Sequence, residues 1–171
     1  MRILAIDVGT RNVGWAVGSP DEKPRHGIYQ VPSYGKKLGI LGADIRAWLT
    51  ATALAHKPTS IAYEQPIYVP DNNPWTMRKV AGIGFTIEVF GYDNDILVEE
   101  MPAPTVRKHF LAPHKVPRES KAIKEAVVAR CRQLGWAPTE GFDDDADAMA
   151  LLDYTLAVKD SPLLRKIGEL L

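Results

Sequence analysis

The sequence holds one cysteine, Cys131, so no disulfide can form within the chain, and no second thiol or histidine stands at zinc-ligand spacing from it. A disulfide scaffold and a zinc finger are thereby excluded. The lone thiol fits a reducing compartment, so a cytoplasmic protein is expected. Long apolar runs are missing too. The N-terminal run is interrupted by Asp7 before it reaches signal-peptide length, and no later run is expected to approach a membrane span, so no membrane partner is expected. Charge of one sign is not in excess: 21 Lys and Arg balance 21 Asp and Glu. Any affinity for a polyanion must therefore come from local charge. Internal repeats, low-complexity segments and linkers are absent from the pattern as well.

What is there reads as a single α/β domain. A chain of 171 residues can bury a sizeable core, and 46% hydrophobic with 25% charged residues is ordinary for a globular protein. Apolar runs separated by turn residues predict strands over 3–8, 13–18 and 27–31 in antiparallel order, then shorter strands over 59–64 and 96–101. Apolar residues at three- to four-residue intervals predict helices over 37–56, 74–90, 103–110, 118–134 and 144–158, Pro74 suiting a first helical position. Ser161 and Pro162 suggest a final turn or two. The expected architecture is a mixed five-stranded sheet, three strands antiparallel and two parallel, with helices on both faces. Residues 1–158 form the domain and 159–171 a helical tail.

Three stretches carry acids where a core or strand end is expected. Asp7 closes the apolar run of "ILAIDVGT", Glu64 closes "SIAYE", and Asp144 and Asp147 in "FDDDADAMALLDY" stand at i, i+3 and share a helix face. If strands 3–8 and 59–64 are parallel neighbours and that helix packs on the sheet edge, four carboxylates converge. Such a group repels itself unless a cation is present. Oxygen donors without histidine or cysteine suit Mg²⁺ or Mn²⁺. Two such ions roughly 4 Å apart are a device for hydrolysing phosphodiesters. Of the three adjacent aspartates, Asp143 is an alternative to Asp144, and a helix N-terminus favours acids on capping grounds alone.

The combination and order of "IDVGTRNVGWAV", "IAYEQP" and "DDDADAMALLDY" resembles the RuvC family of Holliday-junction resolvases, within the RNase H-like nucleases. The resemblance runs from about residue 1 to 158, with "KVAGIGFTIE", "PAPTVRKHF" and "SKAIKEAVV" in the family's order. It implies a Mg²⁺-dependent endonuclease resolving four-way DNA junctions, with Asp7, Glu64, Asp144 and Asp147 as catalytic metal ligands for two ions. It also implies DNA contacts by Arg107 and Lys121. The family often has an aromatic residue three positions after its second acid. Here that position is Ile67, and the neighbouring Tyr68 is the candidate to stack on a base.

Local charge supplies the partner that net charge conceals. Between positions 106 and 132 lie Arg107, Lys108, Lys115, Arg118, Lys121, Lys124, Arg130 and Arg132, opposed only by Glu119 and Glu125, whereas 139–153 carries acids alone. A basic band beside an acidic centre suits a chain that holds a sugar-phosphate backbone while the reaction proceeds. Arg107, Lys108, Lys115, Arg118 and Lys121 are the expected contacts. Paired cuts imply a two-fold homodimer. The resemblance places its interface on the helix over 74–90, where Met77, Val80, Ile83, Phe85 and Ile87 either offer apolar surface or all belong to the core. Rival readings are a ribonuclease H acting on RNA–DNA hybrids, which would use the same acids, a junction-binding protein without activity, and an actin-like ATPase. The last shares a "D-x-G-T" turn but needs a second domain and a second phosphate turn.

Overall fold

The computed structural model describes residues 1–66 and 73–159. Tyr68 and the turn expected near Ser161 and Pro162 lie outside the described residues. Strands β1 (Ile3–Val8), β2 (Asn12–Gly18) and β3 (Arg25–Gln30) form an antiparallel meander. Strands β4 (Ser60–Glu64) and β5 (Leu97–Met101) join parallel to β1, giving the order β3-β2-β1-β4-β5. Helices α1 (Leu38–His56) and α2 (Pro74–Asp93) connect the parallel strands. Helices α3 (Ala103–Phe110), α4 (Ser120–Gln133) and α5 (Asp144–Lys159) follow β5.

Period-two alternation divides the sheet into two faces. Leu4, Ile6, Val13, Val17, Ile61 and Tyr63 point to α1 and α2, where they meet Leu41, Ile45, Leu49, Ile83, Ile87 and Phe90. Ile3, Ala5, Ala16 and Ala62 point the other way, to α5. Helix α5 is buried nearly all round, through Ala146, Ala148, Met149, Ala150, Leu151 and Leu152, because the sheet lies under it and α3 and α4 cover it. Cys131 is buried in that layer, its Sγ 3.9 Å from the Ala146 carbonyl of α5. Each fully buried aliphatic side chain contributes about 1.5–3 kcal/mol.

Local chemistry explains where elements begin and where the sequence expectation is amended. Asn73 starts α2 by accepting a hydrogen bond from the Trp75 amide at 2.9 Å, with Pro74 in the first turn. The helix passes Gly91 and runs to Asp93 instead of ending near residue 90. Gly91 serves packing here: a Cβ would stand 2.1 Å from Val98 Cγ2 of β5. Strand β3 starts at Arg25, two residues early, because Arg25 and His26 pair with Val17 and Ala16. Helix α4 starts at Ser120, two residues after the expected Arg118. Contrary to expectation, α1 is both long and apolar enough to cross a membrane, with 19 residues and a mean hydropathy of 1.2. It carries Asp44 and Arg46, and it seats Leu41, Ile45, Leu49 and Thr52 in the fold. Of the apolar residues on α2 that the sequence left between surface and core, Ile83 and Ile87 are core, Met77 and Val80 are half-buried, and Phe85 is 68% exposed.

Candidate active site

Asp7 faces Gly14 across the β1–β2 ladder and follows Ile6, which pairs with Tyr63 of β4. Asp7 therefore lies beside Glu64, at the carboxyl ends of adjacent parallel strands. By alternation it shares the face of Ile3 and Ala5, and Glu64 shares that of Ala62, so both carboxylates rise on the α5 side. Gly14 brings α5 down to meet them. A Cβ at Gly14 would stand 2.0 Å from the Asp144 carbonyl oxygen, so the helix N-terminus rests directly on the backbone opposite Asp7.

Successive helical residues point about 100° apart, and the aspartate run is distributed accordingly. Asp143, just before α5, accepts a hydrogen bond from Lys124 Nζ at 2.9 Å. Asp144 accepts one from Asn12 Nδ2 at 3.4 Å. Asp145 is fully buried and turned away from the cleft: its Oδ2 lies 2.7 Å from His26 Nδ1 and accepts from the Thr139 amide at 2.9 Å and hydroxyl at 2.7 Å. Burial pushes this carboxyl up, but the His26 and Thr139 hydrogen bonds outweigh it and hold it below the usual range. Asp147 is 6% exposed.

The carboxylates oppose one another's ionisation. Burial, then the charges of Asp147, Glu64 and Asp144, push Asp7 well above the ordinary carboxylate range, and Lys124 offsets part of this. Burial raises Glu64 to about 6, with Asp147 adding and Arg107 and Lys124 opposing. Asp147 also rises to about 6 through burial and the charges of Asp143 and Asp144, against Arg107 and Lys124. Burial and the neighbouring Asp143 raise Asp144 as well. Two cations face this group. Arg107 Nη2 is 3.5 Å from Glu64 Oε1, and its Nε is buried with no partner among the described residues. Burial acts to lower Lys124, yet its bond to Asp143 and the charges of Asp143, Asp147 and Asp144 carry it above its ordinary value. A cleft of about 180 Å³, lined by Asp7, Val8, Glu64, Gln65, Pro66, Thr76, Met77 and Val80, opens beside the acids.

Asp7 is thus the residue that the other three expected acids surround. Among the described residues, however, no three acidic, histidine or cysteine side chains are grouped tightly enough to hold a metal ion as they stand. The donor chemistry fits a hard divalent cation: every donor is oxygen, and bringing the carboxylates together needs positive charge. Lys108, Lys115 and Arg118 are exposed on and after α3. Lys121 points outward with its side chain 89% exposed, 3.9 Å from Glu125.

No family model matches the chain, and no curated protein matches its sequence. Solved structures do. T. thermophilus RuvC in complex with a Holliday junction substrate matches with a TM-score of 0.67 and 19% identity, over 93% of this chain and 95% of that one. Another Thermus thermophilus RuvC structure gives 0.66 and 21%, over 93% and 96%. The chain has the RuvC fold. The yeast mitochondrial Holliday junction resolvase Ydc2 is similar as well, with a TM-score of 0.60 and 14% identity over 87% of this chain and 75% of that one.

Within its RuvC fold this chain brings further residues to the acid group that were not among the expected contacts. Lys124, not Lys121, is the α4 lysine that faces the acids. Helical spacing could have found it: Lys124 lies three residues before buried Val127 and seven before buried Cys131, on the same face. The His26–Asp145–Thr139 brace and the Asn12 contact had no such local signal, because they join β3, β2 and the α4–α5 connection only in the folded chain.

Proposed function

We propose that the chain is a divalent-metal-dependent endonuclease that resolves four-way DNA junctions by paired phosphodiester hydrolysis, leaving 5′-phosphate and 3′-hydroxyl ends. The observation that carries this reading is Asp7, a carboxyl held among three others at the carboxyl end of the central strand, with Arg107 and Lys124 facing the group. The likeness to RuvC solved with a Holliday junction substrate supports the choice of substrate.

Asp7, Glu64, Asp144 and Asp147 are the residues that would hold two Mg²⁺ or Mn²⁺ ions, whose charge activates water and stabilises the leaving oxygen when they are bound. Arg107 and Lys124 bind phosphate oxygens on the α3–α4 side and lower the cost of bringing an anionic backbone to anionic residues. Asp145, braced by His26 and Thr139, fixes the rotation of α5 and so the direction in which Asp144 and Asp147 point. Lys108, Lys115, Arg118 and Lys121 extend the contact to outlying phosphates, and Tyr68 stacks on a base at the branch point. Two cuts in two strands call for two copies of the site, so the protein works as a two-fold homodimer, with exposed Phe85 on α2 part of its interface.

The decisive measurement is cleavage of labelled four-way, three-way and linear duplex DNA and of an RNA–DNA hybrid, with and without Mg²⁺. Mg²⁺-dependent paired nicks confined to the branched substrates are expected. Preferred cleavage of the hybrid would replace the reading with a ribonuclease H. Junction binding with no cleavage under any divalent ion would leave a binding protein.

A further inference from the structure

The acid cleft has a second flank, made by α2 and the β3–α1 loop. Thr76, Met77 and Val80 of α2 line the cleft itself. One residue before that wall, the Trp75 ring gathers two cations from separate parts of the chain. Lys36 Nζ of the loop lies 4.9 Å from the ring centroid, and Arg78 Cζ of α2 lies 4.7 Å from it. These distances are those of cation–π contacts, so the indole ties the loop to the helix while leaving their charges in place. Lys79 and Lys37 line an adjacent depression with Thr10 of the turn that follows Asp7, and no acid lines it.

None of Lys36, Lys37, Arg78 and Lys79 takes part in an ion pair among the described residues. The α3–α4 flank differs in this respect, since Arg107 is drawn to Glu64 and Lys124 to Asp143. A run of charges along one helix is ordinarily a solvated face. Here two cations from separate elements, Lys36 and Arg78, converge on one aromatic ring next to the helix wall of the cleft, and Lys37 and Lys79 line the depression beside it.

We infer that Lys36, Lys37, Trp75, Arg78 and Lys79 form a second phosphate-binding patch, which takes the backbone of a DNA arm leaving the cleft on the side away from α3 and α4. The inference rests on the nuclease reading for its ligand. It adds to that reading that the site grips its substrate from both flanks, which a branched DNA with diverging arms allows. Phosphate binding is favoured by lysines that no acid among the described residues already holds in an ion pair.

The test is titration of a fluorescent four-way junction, in buffer with EDTA and at several KCl concentrations, with the wild type and a Lys37→Ala/Lys79→Ala variant. Each lost phosphate contact to duplex DNA should flatten the log–log salt slope by about 0.9, so a slope shallower by roughly one to two and weaker binding at low salt are expected. Trp75→Ala should also weaken binding, and Trp75→Phe should recover part of the loss by keeping a ring under the two cations. Lys36→Ala/Arg78→Ala serves as a second pair if the first melts below the wild type. An unchanged slope in a folded double variant, with wild type still cutting junctions, overturns the patch alone. A wild type that neither binds nor cuts junctions overturns the nuclease reading and the patch with it. A slope change in a protein that binds but never cuts retains the patch and discards the nuclease.

Discussion

The two faces of the sheet are built from side chains of different size. Toward α1 and α2 the strands present Leu4, Ile6, Val13, Val17 and Ile61 to large aliphatic partners. Toward α5 they present Ala5, Ala16 and Ala62, with Gly14 and Gly18 flanking Ala16 in β2 and Ile3 at the far end of β1 from the acids. Large residues fill volume and hold the helices at side-chain distance. Small ones let α5 settle on the backbone itself, so that acids from its first turn reach acids at the strand ends. Both faces carry a buried core, but the chemistry lies on one of them. The chemical face also carries the electrostatic cost, since Asp7, Glu64, Asp144 and Asp147 are all held above their ordinary range.

That division can be broken most sharply at Asp7. Asp7→Asn should abolish Mg²⁺-dependent cleavage while leaving junction binding largely intact. Because the folded chain opposes ionisation of this carboxyl, the same change should raise the melting temperature of metal-free protein at pH 7.5, by about 2–4 °C for each kcal/mol relieved. A variant that cuts at the wild-type rate would remove Asp7 from the site. Next in effect is Gly14→Ala, where the added methyl meets the Asp144 carbonyl. It should cost about 1–3 kcal/mol in denaturant unfolding and lower cleavage as well, because the N-terminus of α5 is pushed off the sheet. Wild-type activity in this variant would mean that the contact does not position the acids.

Acidity sharpens the same contrast without a mutation. Glu64 and Asp147 are raised to about 6, so the folded chain holds their protons more tightly than the unfolded chain does. Their stabilising contribution is complete below the unfolded values of about 4 and is lost as pH rises through about 6. Ligand carboxylates bind cations only when ionised. Mg²⁺ should therefore raise the melting temperature at pH 7.5 and leave it nearly unchanged at pH 5, and an equal response at both would contradict carboxylate binding. The smallest effect on activity is expected on the opposite face. Ile45→Ala, at a wholly buried position of α1 packed on the sheet, should cost about 2–5 kcal/mol of stability and leave cleavage per folded molecule at low temperature as it was.

Much of this arrangement was legible in the sequence because it is written in local pattern. Alternation in "ILAID" and "IAYE" fixes which face Asp7 and Glu64 take, and the i, i+3 spacing fixes that Asp144 and Asp147 share a side. The antiparallel meander and the mixed sheet followed from two short connections and two helical crossovers, and β1 and β4 are the parallel neighbours that the position of their acids suggested. What was not legible depends on contacts between distant segments. The separate fates of Asp143, Asp144 and Asp145 are set by Lys124, Asn12 and His26, which lie 19, 132 and 119 residues away. The convergence of Lys36 and Arg78 on Trp75 is of the same kind. Whether Ile83 and Ile87 are core or surface was undecided in the sequence, because a helix with apolar residues on more than one side does not say which side meets the sheet.

Cys131 carries one more consequence. Burial and the nearby charges of Asp145 and Asp147 push its thiol up to about 12, so the reactive thiolate is essentially withheld while α4 stays against α5. Alkylation can then proceed only when those helices part. The lone sulfur is in effect a built-in clock, and its labelling rate, slowed by anything that clamps the helical layer, counts how often that layer opens.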